Sequence, residues 1–175
     1  QVNLEKKVIL FADTFNINFE IKNLMYAIKV LNKFGYQAII PSFQNDNLDR
    51  PLCCGRTYIS LGQLDKAKME LERFTKYVSD NGYNELPVVG IEPSCLLTFN
   101  DEFKSFSHLK NRSKIKNEFF LLEEFVLNEI KNGNKIKYKD FNKNVLIHGH
   151  CHQKSQNRVR GLTNLLNELK IKNSM

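Results

Sequence analysis

Three short apolar runs, each followed at once by residues that can bind a metal, are the feature that most limits how this chain can fold. They occupy residues 6–14 (KKVILFADT), 86–95 (LPVVGIEPSC) and 143–154 (KNVLIHGHCHQK). Bounded apolar runs of this length are typical of buried β-strands. A fourth run, YQAIIP at 36–41, closes on a proline. We therefore predict four strands, three of which lead into candidate ligands.

Segments with helical periodicity separate these runs. The pattern at 60–82 places five apolar residues on one helix face: Leu64, Ala67, Leu71, Phe74 and Val78. Further helices are predicted at 21–34, from about Ser94 through residue 103, at 117–133, and through LTNLLNELK near the end. Strands that alternate with helices predict a mostly parallel sheet with helices on both faces. The predicted fold class is therefore α/β and Rossmann-like.

The ends of the predicted strands carry the residues of chemical interest. The first strand leads to Asp13, the third to Cys95 and the fourth to the segment His148–His152. The CCG sequence at 53–55 follows the second strand. Because ligands of such sheets gather at the carboxyl ends of the strands, we predict that all four cysteines lie on one rim.

The adjacent pair Cys53 and Cys54 is unusual, because neighbouring cysteines rarely reach the geometry of a disulfide. With Cys95 they offer three thiolates, and such soft ligands favour zinc or iron–sulfur clusters. Gly55 would let the backbone turn closely around a bulky centre. Arg56 would offset part of the thiolate charge. Two other interpretations stay open: Cys95 as a buried apolar residue, or one cysteine as a catalytic nucleophile.

Cys151 lies in a histidine-rich sequence that includes His148, His150 and His152. Imidazole and thiolate groups are both common zinc ligands. We therefore predict that these residues bind or tune the metal centre. A polar surface loop of the same composition is the alternative.

The composition places limits on compartment and partners. Four cysteines without a secretory signal favour a reducing compartment, so a cytoplasmic location is expected. The net charge of +7 comes mostly from lysines scattered among asparagines, without repeated aromatic residues between them. This pattern is typical of a solvated surface, so no nucleic-acid partner is expected. An acidic partner or an anionic membrane surface stays open.

Several motifs together resemble a cysteine-rich CCG domain, the family of the iron–sulfur subunits of glycolate oxidase, anaerobic glycerol-3-phosphate dehydrogenase and heterodisulfide reductase. These motifs are GYQAIIP, the CCG sequence, SLGQLDKAK and EPSCLLTFNDEF. The nearest likeness is to the C-terminal region of FAD-linked oxidases fused to iron–sulfur domains, through FADTF, CCGR, EPSCLLT, LLEEF and HGHCHQK. The resemblance covers about residues 6–156.

The resemblance implies an electron-transfer module of an FAD-linked oxidoreductase of the glycolate or D-lactate dehydrogenase type, not catalytic alone. Cys53, Cys54, Cys95 and Cys151 would hold a [4Fe–4S] or non-cubane iron–sulfur cluster, with zinc as the alternative. FAD would belong only to a parent protein or to a partner, an FAD-binding dehydrogenase domain or subunit. A quinone or a membrane-anchor subunit would be a further partner, at the inner face of the cell membrane.

Two departures from the family pattern affect these expectations. Asp13 stands where many relatives have their first cysteine, so it becomes a candidate oxygen ligand. A second repeat begins around Cys151 and stops before its own CCG motif. The implied organisation is a first CCG repeat over 1–107, a helical connection over 108–142, and the truncated start of a second repeat over 143–175.

These departures keep two other functions open. The first is a zinc-stabilised structural or interaction domain without redox activity. The second, a basic nucleic-acid-binding domain, rests on charge alone and is not expected.

Overall fold

The computed structural model describes residues 4–41, 50–106, 115–134 and 137–175. The first part of the chain forms β1 (Lys6–Phe11), α1 (Thr14–Asn18), α2 (Ile21–Lys33) and β2 (Tyr36–Ile39). The middle part forms α3 (Arg56–Ser60), α4 (Leu64–Asp80), β3 (Val88–Gly90), α5 (Pro93–Asn100) and α6 (Glu102–Ser105). The last part forms β4 (Phe119–Leu121), α7 (Leu122–Lys131), β5 (Val145–Leu146), α8 (Cys151–Ser155), α9 (Arg160–Glu168) and β6 (Asn173–Ser174).

Strands β1 to β4 form one parallel sheet in the order β2-β1-β3-β4. This arrangement confirms the predicted α/β fold with a mostly parallel sheet. The chain places β2 on one side of β1 and β3 on the other, so the strand order reverses at β1. Such a reversal opens a crevice beyond the carboxyl ends of the central strands.

Strand β1 is buried on both faces, as the central strand of a parallel sheet must be. Val8 and Leu10 belong to the core that includes residues of α2 and α7. Ile9 and Phe11 belong to the opposite core, built from α4, α5 and α6. Helices therefore cover both faces, which explains why residues 8–11 of the strand form a continuous apolar run rather than an alternating one.

An aromatic cluster around Phe99 joins α5 to four other elements of the core. Its ring centroid lies 5.1 Å from that of Phe11, 4.7 Å from Phe74 and 5.9 Å from Phe103. It also stacks on Phe119 of β4 at 5.0 Å. This packing fixes the helix that carries Cys95 against the sheet.

Residues 119–121, predicted to begin a helix, form strand β4 instead. The side-chain amide of Asn117 donates hydrogen bonds to the carbonyl oxygens of Tyr83 and Leu86, which holds this segment beside β3. Glu124 then accepts a hydrogen bond from the backbone of the last strand residue, and α7 begins. A short apolar run fits a strand as well as a helix, so periodicity alone could not separate the two.

The strand predicted within 143–154 is extended only at Val145–Leu146. It pairs in parallel with β6, in a separate two-stranded sheet. The prediction that it joins the main sheet is therefore wrong. The physical reason is that β4 already occupies the edge of β3.

The helix predicted at 60–82 begins only at Leu64, and the short helix α3 precedes it. Gly62 adopts a positive φ of 70° between the two, which interrupts the helical path. Leu64 is 54% exposed and so does not join the buried face. The other four residues of that predicted face are buried: Ala67, Leu71, Phe74 and Val78.

The predicted connection between the two repeats contributes to the first sheet. Within it, β4 pairs with β3, and α7 packs on β3 and β4. The predicted boundary at 107 lies outside the described residues, and the division of the chain stays a prediction. Among the residues that the structure describes, no helix combines the length and hydropathy needed to cross a membrane.

We expect Phe99→Ala to lower the free energy of unfolding by about 3–5 kcal/mol, because the cluster loses its shared ring and leaves a cavity. Phe15→Ala is the matched control, since the Phe15 side chain is 57% exposed. That control should change stability by less than about 0.5 kcal/mol. Urea unfolding of the three proteins measures both effects. Equal losses in the two variants would contradict the assignment of Phe99 to the core.

Candidate functional site

Three of the four cysteines come together at the carboxyl edge of the main sheet. Cys53 and Cys54 lie in the loop before α3, and Cys95 lies in the first turn of α5. Cys54 and Cys95 belong to one buried cluster, Cys53 packs against it, and the pKa of Cys54 depends on both of the other thiols. Cys54 and Cys95 are 2% and 7% exposed, whereas Cys53 is half-buried. We call this arrangement the thiol row.

A buried ion-pair network holds the loop that carries the thiol row. Glu70 of α4 is 1% exposed, and its carboxylate binds the guanidinium groups of Arg50 and Arg73. Arg73 also donates hydrogen bonds to the carbonyl oxygens of Arg50 (2.8 Å) and Pro51 (3.3 Å). A buried carboxylate needs such partners, because an unpaired charge is very costly to remove from water. The network therefore fixes the chain just before Cys53.

Gly55 is required by the packing of this loop on α4. Its φ is +77°, and a Cβ atom placed there would lie 3.1 Å from the carbonyl oxygen of Ala67. The Gly55 N–H donates to the Cys53 sulfur at 3.4 Å. We predicted that this glycine makes room for a cofactor. The close approach in the structure is to the backbone of α4, so helix packing alone already requires glycine.

The position of Cys95 is set by the start of α5. Pro93 occupies the first turn, where its missing N–H is tolerated. The carboxylate of Glu92 accepts hydrogen bonds from the Ser94 N–H (3.1 Å) and hydroxyl (2.6 Å). The amino end of a helix favours negative charge in its first turn. Cys95 therefore lies where a metal-bound thiolate would be stabilised.

The histidine-rich segment builds a second loop around the start of α8. His150 caps this helix, because its Nδ1 accepts a hydrogen bond from the His152 N–H at 3.2 Å. The two imidazole rings stack with centroids 5.5 Å apart. Cys151 is exposed, and its sulfur lies 3.8 Å from His150 Nδ1. His148 is exposed as well and lies before this helix.

Arg56 joins the two loops. Its Nε and Nη2 atoms lie 3.0 and 2.7 Å from Nε2 of His152. A guanidinium group only donates hydrogen bonds, so His152 accepts at Nε2 and is neutral. Burial lowers the pKa of His152, and the charges of Arg56 and His150 lower it further. In addition, α8 packs on α5, which carries Cys95.

The structure thus brings most of the predicted site residues to neighbouring loops, but by a different route from the one predicted. The segment with Cys151 reaches the thiol row through Arg56 and the packing of α8, not as a strand end of the main sheet. His150 comes near the start of α5, where its Nε2 lies 3.7 Å from the Glu92 carboxylate.

Asp13 serves as the N-cap of α1 in this structure. One carboxylate oxygen accepts from the N–H groups of Phe15 and Asn16, both at 3.0 Å. The other accepts from the Asn16 side-chain amide at 2.7 Å. Asp13 is 1% exposed, and each of its carboxylate oxygens already has a protein partner. These bonds account for the acidic residue at this position without a metal.

Cys53 and Cys54 are held in their protonated thiol form, because the pKa of each is raised. Hydrogen bonding to Cys54 raises the pKa of Cys53, and burial raises it further. For Cys54, the hydrogen bond from Cys53 lowers the pKa, whereas the hydrogen bond to Cys95 and burial raise it. The result is a Cys54 pKa of about 12. A metal ion would have to displace these protons, because thiolates are the binding form.

The donor set fits a soft metal or an iron–sulfur centre, since three thiols share one position and Cys151 lies on the adjoining loop. Within the described ranges, no group of three or more His, Cys, Asp or Glu side chains is already arranged around a metal position. Binding would therefore require the sulfurs to turn toward a common point.

Sequence reasoning missed three residues. Gln153 and Glu123 hold the second loop in place, and Glu92 caps α5. Gln153 accepts a hydrogen bond from the His150 N–H (3.1 Å) and donates one to Glu123 (2.9 Å). Burial raises the pKa of Glu123. Glu92 was missed as the cap of α5. The capping-box spacing of His150 and Gln153, and Glu92 directly before a proline, are the signals that could have identified two of them.

The fold and the thiol row define this chain as an α/β protein with a cysteine-bearing rim. No family model, no curated protein and no solved structure matches it. Its function must therefore be argued from the site itself.

We expect Gly55→Ala to destabilise the protein more than Gly62→Ala. Both glycines have positive φ, which costs other residues about 1–2 kcal/mol. A Cβ atom at Gly62 would meet nothing within 4 Å, whereas one at Gly55 would press on the α4 backbone. Chemical unfolding should give about 1 kcal/mol for Gly62→Ala and at least about 2 kcal/mol for Gly55→Ala. A smaller loss at Gly55 would contradict the close packing.

The raised pKa of Cys54 predicts a loss of stability at high pH. The neutral thiol contributes its full stabilisation below the ordinary pKa of 9.0, and that contribution falls as the pH rises toward about 12. Wild-type protein should therefore lose up to about 1.4 kcal/mol per pH unit more than Cys54→Ala in this range. Unfolding curves of both proteins at a series of pH values measure the difference. Parallel pH profiles would show that Cys54 is not buried as a neutral thiol.

Proposed function

We propose that this chain is an electron-transfer module that holds an iron–sulfur cluster, of the [4Fe–4S] or non-cubane type. One observation carries the proposal: at the carboxyl edge of a parallel sheet, Cys54 and Cys95 from two separate segments lie in one buried cluster, and the half-buried Cys53 packs against it. A bound cluster supplies reversible transfer of single electrons.

The ligands proposed are Cys53, Cys54 and Cys95, with Cys151 as the fourth. Cubane clusters are usually held by four cysteine thiolates. Cys151 is exposed at the start of α8, and Arg56 contacts His152 of the same helix, so ligation by Cys151 would require its sulfur to turn inward. His148, His150, His152 and Asp13 are assigned supporting roles at most, because the cap bonds of His150 and Asp13 already engage their acceptor atoms.

The surrounding residues would tune such a centre in three ways. The guanidinium of Arg56 adds a fixed positive charge next to the CCG loop. The amino end of α5 adds a positive partial charge near Cys95. Burial of the row beside the aromatic core limits its contact with water. Nearby charge, helix partial charge and burial each influence the reduction potential of a cluster.

The wider role is proposed on the motif resemblance. In this wider role, the chain is part of an FAD-linked oxidoreductase of the glycolate or D-lactate dehydrogenase type. A partner domain or subunit carries the FAD. Electrons would leave toward a quinone or a membrane-anchor subunit. A cytoplasmic chain that lies peripherally on the inner face of the cell membrane is consistent with this role.

Zinc bound without redox activity is the second candidate, and one contact favours it. The sulfur of Cys151 lies 3.8 Å from His150 Nδ1, so a thiol and an imidazole are already neighbours beside the row. Sites with three cysteines and one histidine are common structural zinc sites. The protein would then be a structural or interaction domain.

The iron–sulfur and zinc candidates can be distinguished by the metal and sulfide content of protein that is prepared and reconstituted without oxygen. We expect iron and acid-labile sulfide in the wild-type protein, and a loss of both in the Cys53→Ser/Cys54→Ser double variant, because the row supplies two of the ligands. Met69→Ala is the matched control, since Met69 is a sulfur-containing residue that is 52% exposed on α4. It should retain the iron.

The outcome decides between the assignments. Zinc alone, lost in the same double variant, would replace the electron-transfer proposal with the structural one. Iron that persists in the double variant would show that the thiol row is not the site. The absence of both metals from the wild-type protein would refute the ligand role of the cysteines in this chain.

A further inference from the structure

Helices α1 and α2 pack on each other and share a surface of exposed apolar side chains. Phe15 and Phe19 lie one turn apart on α1 and its end, and they are 57% and 77% exposed. Ile21, Met25 and Tyr26 continue this surface along α2, and each is more than half exposed. Single exposed apolar residues are ordinary, whereas a patch of them marks a surface that binds something else.

The same side of α2 carries three lysines. Lys22, Lys29 and Lys33 are exposed, and their spacing along the helix places them in one row. Tyr26 lies in this row, with the ammonium group of Lys29 5.5 Å from its ring centroid. None of the described residues forms an ion pair with these lysines. Glu20 is the only acidic residue of the two helices and their connection, so apolar and positive groups share one face.

The opposite face of the protein has a different pattern. Helix α4 packs in the other core, so its exposed side points away from α2. It carries equal numbers of acidic and basic residues: Asp65, Glu70, Glu72, Asp80, Lys66, Lys68, Arg73 and Lys76. The surplus of positive charge on α2 is therefore a local feature and not only the general lysine content of the chain.

A bilayer that contains anionic lipids fits this combination. Aromatic and apolar side chains enter the boundary between lipid head groups and acyl chains. Lysines beside them extend their stems along the apolar surface and keep their ammonium groups at the lipid phosphates. Nucleic acid would match the lysines but would leave Phe19, Ile21 and Met25 in water.

We infer that the exposed face of α1 and α2 is a docking surface for an anionic phospholipid bilayer. The apolar side chains enter the membrane interface, and the lysines bind lipid phosphates. Because α1 directly follows β1, this surface begins at the same edge of the sheet as the thiol row. The inference deepens the peripheral location proposed above and rests on that part of the proposed function, but it does not depend on a bound metal.

Co-sedimentation of the full chain, freed of metal, with lipid vesicles tests the inference. We expect binding to vesicles of phosphatidylcholine and phosphatidylglycerol, and little binding to phosphatidylcholine alone. Raising the salt from about 0.1 M to about 0.5 M should weaken the binding, because salt screens the attraction between lysines and lipid phosphates.

Matched lysine variants separate a local surface from overall charge. Lys22→Gln/Lys29→Gln should weaken binding at least about tenfold, since one lysine near an anionic membrane contributes about fivefold in affinity. Lys66→Gln/Lys76→Gln removes the same charge from exposed positions of α4 and should change the affinity by less than about twofold.

Matched apolar variants test insertion. Phe19→Ser/Met25→Ser should also weaken binding at least about tenfold, because two side chains no longer leave water. Leu61→Ser/Met69→Ser is the control, since these residues are 65% and 52% exposed away from α2, and it should retain binding. The chain has no tryptophan, so Phe19→Trp adds a single reporter. Its fluorescence should shift to shorter wavelength with anionic vesicles, whereas that of Leu61→Trp should not.

Three results would overturn the inference. Wild-type protein that leaves anionic vesicles unbound at low salt is the first. Equal losses in the two lysine variants are the second, because they would show attraction by overall charge. The third is a wild-type dimer that Phe19→Ser/Met25→Ser separates in analytical ultracentrifugation, which would assign the face to a second copy of the chain. Each of these leaves the iron and sulfide content that tests the iron–sulfur site unchanged.

Discussion

The burial of one carboxylate determines where the cysteine pair of this protein can lie. Glu70 is inside the protein on α4, and a charge in that position must be paired. Arg50 and Arg73 pair with it, and Arg73 also binds the backbone of residues 50 and 51. The loop that follows is thereby pressed onto α4 so closely that only glycine fits at position 55. The cysteine pair is therefore held in place by a network that contains no sulfur.

The parallel sheet supplies the second half of the arrangement. Because β3 lies beside β1 and ends at the same edge, the start of α5 falls next to the CCG loop, and Cys95 joins the buried cluster of Cys54. Phe99 on the same helix anchors it to the core. The second loop is then attached by Arg56 and His152, a charged donor and a neutral acceptor. The second loop is thus joined to the helices of the rim both by the Arg56–His152 contact and by the packing of α8 on α5.

The place of Cys95 at the carboxyl edge could be predicted from sequence because it closely follows β3, whereas the position of the cysteine pair also depends on the Glu70 network, which the sequence pattern does not reveal. The route of the last segment could not be predicted, since a short apolar run at 145–147 is compatible with either sheet, and β4 had taken the free edge. The role of Asp13 was ambiguous for a different reason: an acidic residue directly after a strand suits a metal and a helix cap equally. The contact of Arg56 with His152 depends on side-chain orientations that no sequence pattern specifies.

Crystals of protein prepared without oxygen, with anomalous diffraction recorded at the iron absorption edge, would test the central claim most directly. The account predicts iron density bonded to the sulfurs of Cys53, Cys54 and Cys95, with Cys151 turned inward as a further ligand. Iron density elsewhere, or a thiol row without bound iron in crystals of iron-loaded protein, would contradict it.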